Sequence, residues 1–523
     1  QEQADKVLGA LAKPGALPHL RQIVCVDMKG MRGYRHPLLT SLDEVMALGR
    51  QRAEQHGAGI DARIDDLRPD DVAVIVYTSG TTGLPKGAML SHGALIVNAR
   101  RMIARHGLDR IARSSLAYLP LCHVAEREFS TVMGLVDGAT VSFAESIDTV
   151  LHDLREVAPN TFIGVPRIWE KLRSSVTVRL LDTRPLPRRL TEWAIGRGQR
   201  IADRRLANGG RFASVADRLE FAALWLTVFR SLQTWMGLNR AGGRLYCGGA
   251  PISPEVLRFF WAIGLEIYQV FGMTESAGFT HSQCAGHTAQ GSCGPVLEGW
   301  EERFAEDGEL ILKSDGIFSG YLHNEAATRD AIIDGWLHTG DAGRFEDDGD
   351  LVVLGRVSEV VRTASGERYI PNYIENRLKF SPYVKDVAVL GKGRDTLAAI
   401  VCIDKETVGH WAELRGISYI SYADLSQKPE VIELVAGVIR HVNQAQPEGL
   451  RIRRFVNLHK EFDADDGEIT RTRKLRRSVI DEHYAAVIQA LYSDARSVRM
   501  KAQITYDTGE TGVIERELAL KDL

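Results

Sequence analysis

The chain has 523 residues, a net charge of −3 and a pI near 6.6, which argues against a general nucleic-acid binder with its usual basic excess. Its length suggests about two to four domains, and its composition, 44% hydrophobic, supports a sizeable core. No apolar run approaches the ~18 residues that span a bilayer, and no apolar leader opens the sequence. The six cysteines form no paired framework, so we predict a reduced, cytoplasmic protein.

Strand and helix patterns alternate through the first half of the chain. Buried strands are predicted for the apolar, β-branched runs 72–77, 161–165 and 265–272. Helices are predicted for 91–103 and for 253–264, the second with Ser253 as its cap. This alternation predicts an α/β sheet with helices on its faces.

The segment 183–240 differs in composition from its surroundings. It is first rich in arginine ("RPLPRRL", "GRGQRIADRRLANGGR") and then strongly apolar ("FAALWLTVFRSLQTW"). The pattern predicts a pair of surface helices whose arginines are solvated. Peripheral contact with a membrane surface, or contact with a second copy in a homodimer, is the alternative.

The pattern changes again after residue 356. The sequence predicts a hairpin over 357–371, a helix over 372–382, and strands over 384–391 and 397–404. These elements are typical of a small α+β domain with its own core. The tail 499–520 alternates polar and apolar residues around Asp507–Gly509, which predicts a β-hairpin.

The stretch "YTSGTTGLPKGAML" (77–90) joins a predicted strand to a predicted helix through a glycine- and threonine-rich loop. Such a loop presents backbone N–H groups and hydroxyls to a phosphate, and Lys86 can neutralise charge. It is not a Walker A loop, because Pro85 precedes the lysine and Gly87 follows it, which removes the usual magnesium ligand. We therefore predict that this loop binds phosphate but differs in class from the loops of P-loop kinases and GTPases.

The same loop resembles the signature of the adenylate-forming enzymes, which comprise acyl-CoA synthetases, luciferases and peptide-synthetase adenylation domains. Four further stretches resemble later motifs of that family in the right order: "GGAPISPEVLRFFWAIG" (248–264), "FGMTES" (271–276), "WLHTGDAGRFEDDGDLVVLGR" (336–356) and "GEITRTRKLRR" (467–477). Two more resemble the long-chain fatty acyl-CoA synthetases: "YLPLCHVAERE" (118–128) and "GVPRIWEKL" (164–172).

The resemblance implies a fold, a reaction and cofactors. The fold is a large N-terminal domain of α/β sheets with a β-barrel-like subdomain, here 1–356, and a small mobile α+β domain, here 357–523. The reaction uses ATP and Mg²⁺ to convert a fatty, long-chain carboxylic acid to acyl-AMP. The acyl group then passes to coenzyme A, which gives acyl-CoA, AMP and pyrophosphate.

The resemblance also implies catalytic residues. Lys86 and the loop hydroxyls would hold the β- and γ-phosphates, Thr274 the α-phosphate, and Glu275 a bridging Mg²⁺ ion. Lys474 would reach from the small domain to the reacting carboxylate and the α-phosphate. These positions meet the negative charge that adenylation develops.

A second implied group binds the nucleoside. Asp341 would accept hydrogen bonds from the ribose hydroxyls beside Arg356, and Phe271 would stack on adenine in place of the family's tyrosine. The implied ATP- and AMP-binding residues are Thr78, Ser79, Gly80, Thr81, Thr82, Gly83, Gly249, Ala250, Pro251, Phe271, Gly272, Asp341 and Arg356.

Three further residues take implied roles outside the nucleotide site. His123 and Trp169 are assigned to the acyl and CoA pocket; the alternatives are a core imidazole for His123 and a core or pocket-wall position for Trp169. Ser358, two residues after Arg356, occupies the hinge position, where the family usually has aspartate or lysine. Serine can absorb the change in φ and ψ that a rotation of the small domain needs.

Several alternatives stay open. The acyl acceptor could be a carrier-protein thiol, or the chain could be a non-catalytic scaffold that binds nucleotide and acyl chain. His281, Cys284, His287 and Cys293 lie close together, but their irregular intervals argue against a structural zinc site. Full-length long-chain relatives carry a longer segment before the phosphate loop, so we expect that an N-terminal part of the large domain is missing.

Overall fold

The computed structural model describes residues 2–13, 15–31, 33–78, 85–379, 381–444, 446–463, 466–469, 475–505 and 511–523, with the backbone alone for 2, 181, 501–505 and 511–515. The chain divides into two compact units, Gln1–Asp71 and Val72–Leu523. The larger unit contains every predicted site residue.

The smaller unit consists of two helices and a two-stranded parallel sheet: α1 Glu2–Leu11, β1 Ile23–Cys25, β2 Leu39–Ser41 and α2 Leu42–Asp65. Helix α2 begins at a capping box. The Ser41 hydroxyl accepts a hydrogen bond from the Glu44 N–H at 3.2 Å, and the Glu44 carboxylate accepts one from the Ser41 N–H at 2.8 Å. These bonds satisfy two N–H groups that the first helical turn leaves without an intrahelical partner.

The region from Val72 to Arg356 alternates strands and helices. Its strands are β3 Val72–Thr78, β4 Lys86–Ser91, β5 Ser114–Ala117, β6 Thr140–Phe143, β7 Phe162–Gly164, β8 Leu245–Cys247, β9 Ile267–Met273, β10 Gly278–Ser282, β11 Glu301–Phe304, β12 Glu309–Lys313, β13 Gly320–Tyr321, β14 Ile332–Ile333, β15 Trp336–Phe345 and β16 Leu351–Arg356. Its helices are α3 His92–His106, α4 Val124–Glu126, α5 Met133–Asp137, α6 Val150–Val157, α7 Pro166–Leu181, α8 Pro185–Ala207, α9 Val215–Leu224, α10 Arg230–Met236, α11 Pro254–Ala262 and α12 Glu325–Ala331. The strands predicted near 72, 161 and 265 are thereby confirmed, with slightly shifted ends.

Four sheets share one apolar core in this region. Strands β7, β8 and β9 are parallel, and β10 returns antiparallel along β9. Strand β4 pairs with β3 and β13, and β5 with β6. Strands β11, β12, β15 and β14 form an antiparallel half-barrel sheet, with β16 on β15. The mixed α/β fold with a barrel-like sheet agrees with the sequence prediction.

The arginine-rich segment forms α8, then a second helix that runs from α9 through a π-helical stretch, Trp225–Phe229, into α10. The prediction that its arginines are solvated is wrong for Arg205, which is buried. Its guanidinium donates to the Gly210 carbonyl and to Glu266 Oε1 at 2.5 Å. A buried cation needs such partners, because burial removes its hydration.

Helix α11 covers the predicted helical stretch but lacks one predicted feature. Ser253 occupies the N-cap position, yet its side chain makes no capping hydrogen bond. Pro254 follows it at the first helical position, where φ is already suited to a helix and no N–H needs a partner. The predicted cap is therefore wrong, although the helix is confirmed.

The region after Arg356 packs on separate apolar clusters. Its strands are β17 Val361–Arg362, β18 Arg368–Tyr369, β19 Val384–Leu390, β20 Leu397–Ile403, β21 Ile452–Asn457, β22 Ser497–Thr505 and β23 Thr511–Asp522. Its helices are α13 Pro371–Lys379, α14 Lys405–Glu413, α15 Tyr422–Ser426, α16 Pro429–Gln444, α17 Arg477–His483 and α18 Ala485–Leu491. The hairpin, helix and two strands predicted between 357 and 404 are confirmed. This smaller region, residues 357–523, is distinct from the smaller unit Gln1–Asp71. It is α+β, as predicted, and has its own cores.

The predicted tail hairpin is present and joins the sheet of the smaller region. Strands β22 and β23 pair from Ser497↔Ala519 to Thr505↔Thr511, while the predicted turn at 507–509 lies outside the described residues. The end of β23 then pairs with β21 at Arg454↔Asp522. The sheet order is β19-β20-β21-β23-β22.

Candidate functional site

A cavity of about 1240 Å³ lies where the carboxyl ends of β7, β8 and β9 meet the β3–β4 hairpin. Ligands of open α/β sheets bind at such carboxyl ends, because the loops that follow the strands converge there. Nine residues predicted from sequence line this cavity: Thr78, Lys86, His123, Gly249, Phe271, Gly272, Thr274, Glu275 and Arg356. The structure thus brings together segments up to 278 residues apart in sequence, from Thr78 to Arg356 (356 − 78).

Other predicted residues lie beside the cavity or outside the described chain. Asp341 is adjacent to Arg356, Ala250 and Pro251 are exposed after the cavity-lining Gly249, and Ser358 is exposed in a short 3-10 turn. Ser79, Gly80, Thr81, Thr82, Gly83 and Lys474 are not among the described residues. Their predicted roles therefore stay predictions.

Trp169 supports the cavity wall from behind. Its side chain is fully buried, and its indole N–H donates to the carbonyl of Gly164, a lining residue, at 3.2 Å. A Cβ atom at Gly164 would approach the indole nitrogen to 2.7 Å, so the indole fills the space behind that backbone. Trp169 is a neighbour of the lining residues and does not itself line the cavity.

Lys86 and Glu275 both lie next to the side chain of Tyr321, a residue that the sequence motifs did not single out. The Tyr321 hydroxyl donates to Glu275 Oε1 at 2.7 Å, and Lys86 Nζ lies 5.2 Å from the centre of the same ring. Burial and the adjacent Glu275 raise the pKa of Tyr321, so the phenol keeps the proton that it donates. Tyr321 reaches the site because β13 pairs with β4, a non-local contact that no local sequence pattern indicates.

The 3-10 turn Thr274–Ser276 holds Glu275 in place. The buried Asn98 side chain donates to the Ser276 carbonyl at 2.9 Å, and the Glu275 carbonyl accepts from the Phe318 N–H at 2.8 Å. Gly272 is required just before this turn, because a Cβ there would lie 1.7 Å from the Gly278 carbonyl oxygen. The turn is therefore fixed by packing on both sides, which positions the carboxylate of Glu275.

Asp341 and Arg356 are cross-strand partners on β15 and β16. Arg356 Nε lies 3.4 Å from Asp341 Oδ1, and Arg356 Nη1 donates to the Thr339 carbonyl at 3.0 Å. Burial raises the pKa of Asp341 to about 6; Arg356 opposes this rise, whereas nearby carboxylates such as Glu309 add to it. An ionised Asp341 is an acceptor suited to ribose hydroxyls.

We expect the affinity for adenosine to depend on pH through Asp341. Since the pKa is raised, the carboxylate exists above pH about 6 and is lost as the pH falls through that value. Affinity should be about tenfold weaker at pH 5 than at pH 7, because each pH unit below the pKa lowers the ionised fraction tenfold. Calorimetric titration with adenosine, which has no phosphate to titrate, measures this. The variant Asp341→Asn should bind weakly with a flat pH profile; an unchanged slope in the variant would contradict the role.

His123 lies at the cavity as the N-cap of the short helix α4. Its Nδ1 accepts a hydrogen bond from the Ala125 N–H at 3.2 Å, and the ring is exposed, which excludes a core imidazole. The buried Glu126 carboxylate accepts from the Leu119 N–H at 2.9 Å and the Tyr118 N–H at 3.3 Å. Glu126 thus holds the lining segment 118–125 in place. Its burial was not predicted, because an acidic residue is usually exposed.

Of the four residues considered for zinc, the two histidines each lie beside a different carboxylate. His281 Nε2 lies 2.7 Å from Glu302 Oε2, and His287 Nδ1 lies 2.7 Å from Asp350 Oδ1. Burial raises the pKa of the Cys293 thiol to about 12, which disfavours the thiolate that zinc requires.

Comparisons with known proteins identify the family. The model described as AMP-binding enzyme matches residues 3–322, and the model described as AMP-binding enzyme C-terminal domain matches 358–496. The chain is 30% identical over 487 residues to the long-chain-fatty-acid–CoA ligase FadD15 of Mycobacterium bovis, covering 92% of this chain and 77% of that protein. It is 28% identical over 526 residues to the long-chain-fatty-acid–CoA ligase ACSBG2 of Xenopus laevis, covering 95% and 69%.

Similarity to a solved structure supports the same fold. The crystal structure of apo MatB from Rhodopseudomonas palustris superposes with a TM-score of 0.52 at 22% identity, covering 81% of this chain and 70% of that one. The matched models together span most of the sequence and include the cavity-lining residues from Val76 to Leu322, whereas those from His323 to Arg356 lie between the two matched ranges. The chain belongs to the AMP-binding enzyme family.

Proposed function

We propose that the protein activates a long-chain carboxylic acid with ATP and transfers the acyl group to coenzyme A. The observation that carries this proposal is the cavity, in which Lys86, Thr274, Glu275 and Arg356 lie together. Another part of the same wall is apolar and is formed by Leu119, Val124, Ala125, Ile163, Val165 and Phe279. A polyanion and an apolar acid can therefore share one cavity, and the named relatives are fatty-acid–CoA ligases.

In the first proposed step a carboxylate oxygen attacks the α-phosphorus of ATP, and pyrophosphate leaves. Lys86 meets the negative charge of the phosphates, and Arg356 with Asp341 holds the ribose. Glu275 fits a Mg²⁺ ion, because Mg²⁺ is commonly held by one or two carboxylates together with substrate phosphates. The ion would supply charge neutralisation at the phosphates.

In the second proposed step a thiolate attacks the acyl carbon, the carbon–oxygen bond to AMP breaks, and a thioester forms. His123, exposed at the cavity, is proposed to line the path of the thiol. Lys474 and the hydroxyls of residues 79–82 are proposed to act on the phosphates during adenylation.

We further propose a large domain 1–356 and a small domain 357–523 with Ser358 as the hinge. The family models, which match 3–322 and 358–496, support this division. Ser358 lies in a 3-10 turn, exposed, directly after β16. An exposed serine without a fixed φ is suited to a change of backbone dihedrals.

The direct test is pyrophosphate release by the purified chain with a panel of fatty acids, with and without coenzyme A. Acid-dependent release together with acyl-CoA formation is expected. Acyl-AMP that accumulates and is not transferred to coenzyme A would favour a carrier-protein ligase. If no acid causes pyrophosphate release, the result would favour a non-catalytic binding scaffold.

We propose that α8 makes a peripheral contact with anionic membranes. Leu186, Leu190 and Trp193 lie at i, i+4 and i+7 on one helical face and are 80%, 52% and 57% exposed. Arginines 184, 188 and 189 flank them, which suits an anionic lipid surface. Among the described residues, no helix has both the length and the apolarity to span a bilayer.

Replacing Leu186 and Leu190 by serine should weaken binding to vesicles that contain anionic lipid by at least about tenfold. Each buried leucine contributes about 1.5–3 kcal/mol, which this change removes. Cosedimentation measures the bound fraction. The matched control is Ile420→Ser, an apolar residue 93% exposed in the smaller region; equal loss in the control would contradict a specific contact.

A further inference from the structure

Behind one wall of the cavity lies a carboxyl group that the proposed chemistry does not use. Glu128 is fully buried, and neither carboxyl oxygen has a hydrogen-bond partner in the described part of the chain. Burial raises the pKa of Glu128 well above its usual range, which favours the neutral carboxylic acid over the carboxylate. As a neutral acid it can both donate and accept a hydrogen bond.

Glu128 lies directly against residues that line the cavity. It follows Val124 and Ala125 by four and three positions in a helical stretch, and both of these line the apolar part of the wall. The other neighbour is Gly278, also a lining residue: a Cβ built there would lie 3.0 Å from Glu128 Cγ and 3.7 Å from Cδ. Gly278 has φ +120°, so this position requires glycine. Glu128 therefore occupies the space that a side chain at position 278 would take.

The lack of a partner is specific to this carboxyl group. Two residues earlier, the equally buried Glu126 accepts hydrogen bonds from two backbone N–H groups and from the Ser130 hydroxyl. An unsatisfied buried polar group destabilises the folded chain, and a hydrogen bond from a ligand would remove that cost. The cavity that Gly278 lines is a large space next to Glu128.

We propose that Glu128 determines acyl specificity by hydrogen bonding to an oxygen substituent on the acyl chain, a hydroxyl or keto group, where the chain passes Gly278. The inference rests on the proposed function and narrows its substrate class. The acid would be a long-chain acid with one polar substituent along the chain. An unsubstituted acyl chain would leave Glu128 without a hydrogen-bond partner. To reach a substituent, the Glu128 side chain would rotate past the backbone of Gly278, which has no side chain in the way.

The test is selectivity between matched acids. Pyrophosphate release gives kcat/KM for a saturated long-chain acid and for the same acid with a single hydroxyl or keto group at successive positions. The wild-type chain should prefer one substituted acid by about tenfold or more, since a site built around a hydrogen bond discriminates strongly against an analogue that lacks it. In Glu128→Val the ratio should fall to about one, mainly through better use of the plain acid, with KM for ATP unchanged.

Glu128→Gln keeps a polar side chain of the same length and should retain part of the preference. A wild-type chain that uses every substituted acid no better than the plain one would overturn the inference while leaving the proposed function intact. The inference also fails if Glu128→Val keeps the wild-type preference. If the valine variant does not fold, the wild-type ratio of kcat/KM for the substituted acid to kcat/KM for the saturated acid alone tests the inference. No release with any acid would overturn both proposals.

Discussion

Replacing Lys474 by alanine should slow acyl-adenylate formation by about 10²–10³-fold, the usual cost of one lost charge-stabilising contact in a transition state. The lysine is proposed to meet the charge on the attacking carboxylate and the α-phosphate, and that charge is greatest during adenylation. Thioester formation from prepared acyl-AMP should be largely retained, because the phosphoryl step has then already occurred. Pyrophosphate release and thioester formation, measured separately, give the two rates.

The matched control for this variant is Arg476→Ala, since Arg476 is an exposed cation two residues along the chain. It should leave both half-reactions near the wild-type rate. Equal losses in both half-reactions of Lys474→Ala would show that the lysine does not act specifically in adenylation. A loss of the same size in the control would indicate a general electrostatic effect of this basic segment.

Replacing Glu275 by glutamine should raise the Mg²⁺ concentration for half-maximal adenylation by about 100-fold. The carboxylate is buried at the cavity, and glutamine keeps its shape but removes its charge. Tyr321→Phe should raise the requirement by only about tenfold, because loss of a partner of a metal ligand typically weakens metal affinity by 10–100-fold. The phenol donates to the carboxylate at 2.7 Å and can only orient it.

Initial rates of pyrophosphate release across a Mg²⁺ titration, at saturating ATP and acid, measure both variants. KM for the carboxylic acid should change little in either, since the acid is proposed to lie along the apolar part of the wall. A Mg²⁺ dependence in Glu275→Gln that matches the wild type would exclude Glu275 as the metal residue. A larger effect from Tyr321→Phe than from Glu275→Gln would place the ion elsewhere.

The sequence alone predicted much of the cavity, because its motifs are local. In "FGMTES", the strand end, the turn and the carboxylate of Glu275 follow one another directly, and the structure places them in the same order at the cavity. Around Lys86 the sequence predicted a strand, a loop and a helix, and the structure adds the unpredicted strand β4, Lys86–Ser91, directly before the helix α3. The order of these motifs predicted the family, whereas the strand and helix patterns predicted the α/β class and the smaller α+β region.

The partners of these residues depended on contacts between distant segments. Tyr321 reaches Glu275 only because β13 pairs with β4, and Asp341, on β15 of the half-barrel sheet, acquires a pKa of about 6 mainly through burial. Arg205 resembles a solvated cation in sequence, yet packing of α8 buries it against Glu266. None of these contacts has a periodicity or spacing that a linear pattern could reveal.

The chemistry of each motif is therefore determined by sequence, since it depends on residue type and on turns a few residues long. The surroundings of each group are decided by the tertiary structure, since burial, desolvation and hydrogen-bond partners come from segments far apart in the chain. Glu128 illustrates the difference: in sequence it is one of two acids within "AERE", and only packing against Gly278 leaves it buried beside the cavity without a partner. Whether a buried carboxyl group has a hydrogen-bond partner depends on all the segments that pack around it. It can therefore be known only from the folded chain.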